Sequence, residues 1–328
     1  MSLPSVSVVI PAYNAQDTIG VALEALSHQT YTGRIEVIVV DDGSLDRTAE
    51  TVRAFSNVRC LRQPNAGPAS ARNRGAGEAS GELLFFTDAD CRPEAAWIEK
   101  MVAGFSSEDI GAVGGSYGIV NPASPLARII HGEIIFRHQK LMPEFSRSFG
   151  SYNVAFRRKI FESTGGFDVS YRNASGEDND LSYLILRQGQ RIRFLKHAVV
   201  DHFHQEDIAR YLKEQYRHGF WRAKMYLDHP GMAGGDDYTF WKDIAEVPLV
   251  FLQAVFVFWP LLWFGLAVGF LMFELVSGYF IFGTFPDAVL GGLVMWLRAF
   301  ARVAGLSAGI VYFLIYYIFK QIYQKIQK

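Results

Sequence analysis

Three acidic stretches carry residue types and spacings that could do chemistry. Thr87-Asp88-Ala89-Asp90 sets two carboxylates two residues apart directly after an apolar run. Oxygen ligands in that arrangement suit a hard divalent cation, Mg2+ or Mn2+ rather than zinc. Such a cation can bridge the two phosphates of a nucleotide and neutralise a departing diphosphate. An acidic turn looks the same in isolation, and it is the place at the end of a buried strand that favours the metal. The second stretch is Val39-Val40-Asp41-Asp42-Gly43-Ser44, with Asp46 close behind. A carboxylate here can accept from a nucleotide base while the glycine turns the backbone sharply, although an ordinary Asp-Gly-Ser turn is the simpler account of these residues alone. The third stretch, Ser175-Gly176-Glu177-Asp178-Asn179-Asp180-Leu181, holds three acids in four positions. They suit the positive end of a helix dipole, or they supply a general base. His202 and His204 follow a strand-like run and face one side if the chain stays extended.

The elements that must position these groups alternate along the first ninety residues. Apolar, β-branched runs at 6–10, 35–40, 58–61 and 83–87 read as buried strands. Helical spacing over 17–27 (Ile19, Leu23, Leu26), about 46–55 and about 68–79 fills the gaps. That rhythm predicts an α/β, Rossmann-like, mostly parallel sheet flanked by helices on both faces. Ligands of such sheets sit beyond the carboxyl ends of the strands, which here carry 11–14, 41–44 and 88–90. No Gly-x-Gly-x-x-Gly follows the first strand, so a dinucleotide oxidoreductase is set aside. The region 110–205 is more mixed, with a glycine-rich strand at 112–119 and a helix over about 178–187.

Composition excludes several classes. The 328 residues carry 32 basic and 33 acidic side chains, a formal charge of −1, so no overall field draws in nucleic acid. Cys60 and Cys91 are the only cysteines and form no CxxC, which argues against a disulfide framework or a structural zinc and fits a reducing cytosolic setting. The run at 6–10 lacks the basic flank and cleavage site of a signal peptide. Charge nearly vanishes between about 244 and Lys320, the exceptions being Glu246, Glu274, Asp287, Arg298 and Arg302. The apolar run 247–273, broken only by Gln253, is long enough for a hydrocarbon core of about 30 Å. Further apolar stretches at 275–285, 288–297 and 303–319 are separated by Pro286-Asp287 and by the Arg298/Arg302 pair. They are apolar on every face, unlike the helices of a soluble protein. Two or three spans are expected, with Arg298, Arg302, Lys320, Lys325 and Lys328 on the cytoplasmic side. Between 207 and 224, Lys213, Arg217, Arg222 and Lys224 interleave with Tyr211, Tyr216, Phe220 and Trp221, as in a helix lying on a membrane or packed on the domain. The predicted division is 1–206 catalytic, 207–243 interfacial linker and 244–328 transmembrane.

Taken in order, six stretches resemble the family 2 glycosyltransferases. They are Val8-Val9-Ile10-Pro11-Ala12-Tyr13-Asn14, Val40-Asp41-Asp42-Gly43-Ser44, Asn65-Ala66-Gly67 with Ala71-Arg72-Asn73, Thr87-Asp88-Ala89-Asp90, Gly165-Gly166-Phe167-Asp168 and Glu177-Asp178. The resemblance covers about 5–205, and the ordered set is far more specific than any member. It implies a GT-A catalytic domain, here followed by C-terminal transmembrane helices, that moves a sugar from a nucleotide-diphosphate donor with Mn2+ or Mg2+ and inversion. UDP is the family's common carrier. The resemblance implies that Pro11, Tyr13, Asn14, Asp42 and Arg72 cradle the nucleotide, that Asp88 and Asp90 meet the diphosphate and the metal, and that Asp178 is the base. Glu177 would orient a sugar hydroxyl or hold a loop, Asn153 in Gly150-Ser151-Tyr152-Asn153 would line the donor sugar, and His202 would be a third metal ligand.

Gln215-Tyr216-Arg217-His218-Gly219-Phe220-Trp221 only loosely resembles the Gln-x-x-Arg-Trp of processive synthases, since its arginine and tryptophan are out of register. That departure, together with few membrane spans, favours single-sugar transfer, and the basic and aromatic residues of 207–224 followed by spans favour a lipid or lipid-linked acceptor at the cytoplasmic face of the inner membrane. Transfer to a growing exopolysaccharide and a non-catalytic nucleotide-sugar-binding scaffold are the other readings, and the complete Asp88, Asp90 and Asp178 motifs speak against the scaffold. The sequence does not give the oligomeric state.

Overall fold

The structure, a computed structural model, describes residues 3–171, 175–232, 237, 239 and 241–326, with side chains to 320. It forms two compact units, Met1–Pro122 with Ile134–His204, and Ala123–Glu133 with Gln205–Lys328.

In the first unit the strands β1 (Val6–Ala12), β2 (Ile35–Asp41), β3 (Val58–Arg62) and β4 (Leu83–Thr87) alternate with helices α1 (Ile19–Ser27), α2 (Thr48–Arg53) and α3 (Pro68–Glu78). These four strands are parallel, in the order β3-β2-β1-β4. Their apolar runs are continuous because both faces are covered. Val8, Ile10, Val39 and Phe85 pack with Leu23 of α1, while the alternate residues Val9, Leu84 and Phe86 pack with Ala69 and Ala76 of α3.

The chain continues through β5 (Cys91–Pro93), α4 (Trp97–Ala103), β6 (Ile110–Ile119), α5 (Pro125–Phe136), β7 (Phe145–Ser146), β8 (Asn153–Arg157), α6 (Arg158–Thr164), α7 (Glu177–Arg187) and β9 (Arg191–His202). The full order is β3-β2-β1-β4-β8-β6-β9-β5, with β7 on β9. β8 runs antiparallel to both β4 and β6, and β9 antiparallel to β5 and β7. The sheet is therefore parallel up to β4 and mixed beyond it. The glycines of β6 have a physical reason. At Gly115 the Asn153 amide occupies the space that a Cβ would take.

The second unit contains most of α5 together with α8 (Ile208–Asp228), α9 (Trp241–Val255), α10 (Pro260–Phe282) and α11 (Phe285–Ile326). Asp207 caps α8, its side chain accepting from the Arg210 amide at 2.7 Å. The apolar run 247–273 is not one helix. Pro260, which has no N–H and would clash with the preceding turn, stops continuation from α9 and starts α10 at its first position. The stretches expected to be separate beyond 285 form one helix of 42 residues, because Pro286 falls in its first turn and Arg298 and Arg302 do not interrupt it. α10 and residues 285–320 of α11 are long and apolar enough to cross a membrane, and most of their surface is exposed, consistent with membrane anchoring. Arg298 is not exposed on its helix. It is 1 % exposed and pairs with Glu133 and, at 3.0 Å, with Glu246. A buried guanidinium requires such partners. Arg302 pairs with Asp243 at 3.1 Å and with Gln215 at 2.7 Å.

Candidate active site

The carboxyl ends of β1, β2 and β4 meet as the sequence predicts, and each ends in a loop fixed by its own polar residues. Pro11 is half-buried, while Tyr13 and Asn14 stand exposed beyond it. Asn14 has φ +49°, the one positive φ outside glycine among the described residues, which its short polar side chain tolerates. Its amide donates to Ser44 Oγ at 3.0 Å, and its Oδ1 accepts from the Leu45 amide at 2.9 Å, locking the first loop to the second. Asp41 is buried and accepts from the Ser44 amide at 2.8 Å. Asp42, 3 % exposed, accepts from Gln63 Nε2 at 2.7 Å and from the amides of Ala66 and Gly67, both at 2.9 Å. Three protein donors thus occupy the carboxylate expected at the base, and its direct work is to shape the turn at 65–67.

Arg72, on α3, is the link that sequence reasoning did not foresee. Its guanidinium is 1 % exposed, with Nη2 at 2.7 Å from Asp88 Oδ1 and Nη1 at 2.9 Å from Glu177 Oε1. Burial works against its charge, but the two carboxylates outweigh burial and hold its pKa above the ordinary arginine range. The bridge joins the acidic pair after β4 to the acids that open α7. Glu177 accepts from the Ser175 amide at 2.8 Å through its other oxygen, so it holds Arg72 and a loop and is sealed from solvent. Residues 172–174 of that loop lie outside the described residues.

Asp178, in the first turn of α7, is only partly buried. Desolvation and the neighbouring charge of Glu177 push its carboxyl up to about 7, against the pull of the Asn179 amide and Arg72. A group that titrates near neutrality can take a proton and release it again.

Asp90 faces His202, with Oδ2 at 3.4 Å from Nε2. The antiparallel pairing of β5 with β9 sets Cys91 opposite His202 and so brings the two together. Burial pushes the Asp90 carboxyl up, but the His202 ring outweighs it and holds the carboxyl below its usual range. Ligand atoms of Asp90, Cys91 and His202 all lie within 4.8 Å of one another. Cys91 is buried in the core, and burial pushes its thiol well up, so it remains a thiol. A carboxylate and an imidazole, both partly open to solvent, are a donor set that fits Mn2+. Among the described residues Asp88 does not join this group, since its carboxylate is turned to Arg72.

Asn153 stands apart from the opening. Its Oδ1 accepts from Trp97 Nε1 at 2.8 Å, and its Nδ2 donates to the carbonyls of Ser116 at 2.9 Å and Ala198 at 3.0 Å. At 1 % exposure it fastens β8 to β6 and β9 and presents no atom to a sugar. Tyr117, which sequence reasoning missed, stacks on Tyr152 at 3.5 Å and meets His202 edge-on at 5.3 Å. An aromatic at the end of a glycine-rich strand was its one signal in the sequence.

Known proteins resemble this chain in sequence and in fold. Residues 7–165 match the family described as Glycosyl transferase family 2. Glycosyltransferase AglE of Haloferax volcanii is 30 % identical over 232 residues, 69 % of this chain and 75 % of that protein. The Bacillus subtilis protein named "Probable glycosyltransferase YdaM" is 35 % identical over 215 residues, 60 % of this chain, which spans 50 % of that relative's length. Among solved structures, the mannosyltransferase PcManGT from Pyrobaculum calidifontis, in complex with GDP-Man and Mn2+, aligns with TM-score 0.59 at 21 % identity over 94 % of this chain and 86 % of that one, a likeness of fold. With a relative 30 % identical over three quarters of its length and the motifs gathered at one sheet edge, the chain belongs to the family 2 glycosyltransferases, and its sheet unit has the GT-A fold.

Proposed function

We propose that this chain is an inverting, metal-dependent glycosyltransferase that moves one sugar from a nucleoside diphosphate sugar to a lipid or lipid-linked acceptor, at the cytoplasmic face of a membrane. The observation that carries the reading is the Asp88–Arg72–Glu177 bridge, which draws the acids after β4 and those opening α7 into one site, with Asp90 and His202 alongside. Exposed Tyr13 and Asn14 offer a face and polar atoms to the nucleotide, next to half-buried Pro11. Asp90 and His202 would hold the cation, Mn2+ or Mg2+, which when bound neutralises charge on the departing diphosphate. Arg72 fixes both Asp88 and Glu177 in place. Asp178 takes the proton of the acceptor hydroxyl on the face opposite the leaving group, which inverts the anomeric centre.

UDP and GDP are the carriers to compare first. UDP is the carrier the family resemblance favours, and the solved structure with a similar fold holds GDP-Man. Apolar α10 and α11, with the basic excess of α8, favour an acceptor held at a membrane.

The test is release of nucleoside diphosphate by the full chain, supplied with UDP- and GDP-sugars, Mn2+ and a membrane lipid extract. Release that EDTA abolishes supports the reading, and no release with any donor leaves a nucleotide-sugar-binding scaffold. Asp178→Asn then sorts the acceptors. A polyprenyl phosphate already carries a nucleophilic oxyanion and tolerates the change, whereas a hydroxyl acceptor loses on the order of 10²–10⁴-fold in rate.

A further inference from the structure

Hydropathy marks α10 and α11 as candidate spans, yet charged groups of the same unit are packed against both. Glu274, near the middle of α10, is fully buried and pairs with Lys242 of α9 at 2.7 Å. Lys242 also pairs with Glu246, Glu246 with Arg298 of α11 at 3.0 Å, and Arg298 with Glu133. Helix α8 then tracks α11 along its length. Tyr211 packs with Val294, Gln215 accepts from Arg302 Nε at 2.7 Å, the Phe220 and Phe313 rings lie 5.1 Å apart, and Tyr317 donates to Asp228. From Val294 to Tyr317 that contact runs about 35 Å along the helix, as long as a hydrocarbon core of about 30 Å. α8 carries five basic and two acidic residues, and Arg210 and Lys213 are exposed. An α11 that crossed would drag these charges across with it.

The turn between α10 and α11 gives an independent restraint. Asp287 pairs with Arg128 at 3.5 Å, Phe282 lies against Gly132, and Leu126 and Ile129 cluster with Val294. Segment 123–133 is an excursion from the sheet, since the chain leaves β6 to make it and afterwards forms β7. α5 has 12 residues, about 18 Å, too short to traverse a bilayer even once. The turn at Thr284 is thus held by segment 123–133, which has no helix long enough to cross a bilayer. For α10 to cross and end there, α9 would first have to cross outward. Its 15 residues span about 22 Å and include Lys242, Asp243 and Glu246.

We propose that the C-terminal helices are monotopic, seating their apolar surface in one leaflet without crossing the bilayer. The surface centres on the start of α10, where Phe258, Leu261 and Phe264 are 86 %, 90 % and 64 % exposed and Trp259 and Trp263 are placed to anchor at the headgroup level. The occupant is an anionic leaflet, whose headgroups complement the basic excess of α8. The proposal rests on the membrane association proposed above and not on the transfer chemistry.

The full chain, carrying Cys60→Ser and Thr284→Cys, is added to sealed phosphatidylcholine–phosphatidylglycerol vesicles and treated with a membrane-impermeant maleimide. Complete labelling from outside, unchanged when the vesicles are permeabilised, is the expected result, and labelling only after permeabilisation overturns the proposal. In a second variant, Leu261→Cys carries an environment-sensitive fluorophore, which should shift to the blue on vesicles. No shift, with the chain self-associated in solution, assigns the apolar face to a second copy and also overturns it. Nucleoside diphosphate release measured on the same vesicles fails or succeeds independently of both labels.

Discussion

Replacing Arg72 by methionine keeps the length of the side chain and removes the charge that joins Asp88 to Glu177. The cost follows from burial. Arg72 and Glu177 are 1 % and 2 % exposed at the side chain, while Asp88 is 29 % exposed and can be rescued by water. Stranding one member of a buried pair costs about 3–5 kcal/mol, and nearly all of it here falls on Glu177. In a unit of this size each kcal/mol moves the melting temperature by about 2–4 °C, so Arg72→Met should lower it by roughly 6–20 °C. Adding Glu177→Gln neutralises the stranded carboxylate while keeping an acceptor for the Ser175 amide, and should restore most of the loss. The assay is thermal unfolding of the full chain in detergent for the two single variants and the double variant. An Arg72→Met variant within about 1 kcal/mol of wild type, or a double variant no more stable than Arg72→Met, would refute the claim that the bridge holds the two acidic motifs together.

Other consequences follow from the same coordinates. With Asp178 pushed up to about 7, transfer to a hydroxyl acceptor should rise about tenfold per pH unit below 7 and level off above it, because only the ionised carboxylate accepts a proton. The same shift makes stability fall as pH rises from the ordinary carboxylate range toward 7, since the unfolded chain releases that proton first. Rate profiles and melting curves of Asp178→Asn should lose both slopes. His202→Ala should weaken Mn2+ binding about 10–100-fold by electron paramagnetic resonance, and an unchanged affinity would remove the ring from the metal site. Asn153→Ala strands the Trp97 N–H and two carbonyls at a cost of about 2–4 kcal/mol, while the KM for donor stays unchanged in the folded fraction. A raised KM at full stability would return Asn153 to the sugar.

What was legible in the sequence was periodic or local. The strands ending at Asp41 and Thr87 read directly from unbroken β-branched and apolar runs, because parallel strands are buried on both faces. The same logic places the acidic motifs at the carboxyl edge of the sheet. Antiparallel β8 could not be foreseen, since nothing local in 153–157 says which neighbours it takes. Long-range partners were equally silent. Arg72 and Glu177 are 105 positions apart and Arg298 and Glu133 are 165 apart, so neither pair leaves a spacing to read. The family resemblance of Gly150-Ser151-Tyr152-Asn153 suggests a sugar contact for Asn153, yet its amide satisfies buried backbone. The apolar C-terminal runs were visible in outline, but their break at Pro260 and the burial of Arg298 depended on packing that hydropathy does not record.

The central claim is that the acids after β4, His202 and the start of α7 form one site for a nucleoside diphosphate and its cation. Anomalous scattering from Mn2+ in crystals of the full chain soaked with UDP or GDP tests it most directly. The account predicts a single strong peak bonded to Asp90 and His202, with the diphosphate on it and the nucleotide running toward Tyr13 and Asn14. A peak elsewhere, or a nucleotide bound away from the carboxyl edge of β1 and β4, would contradict it.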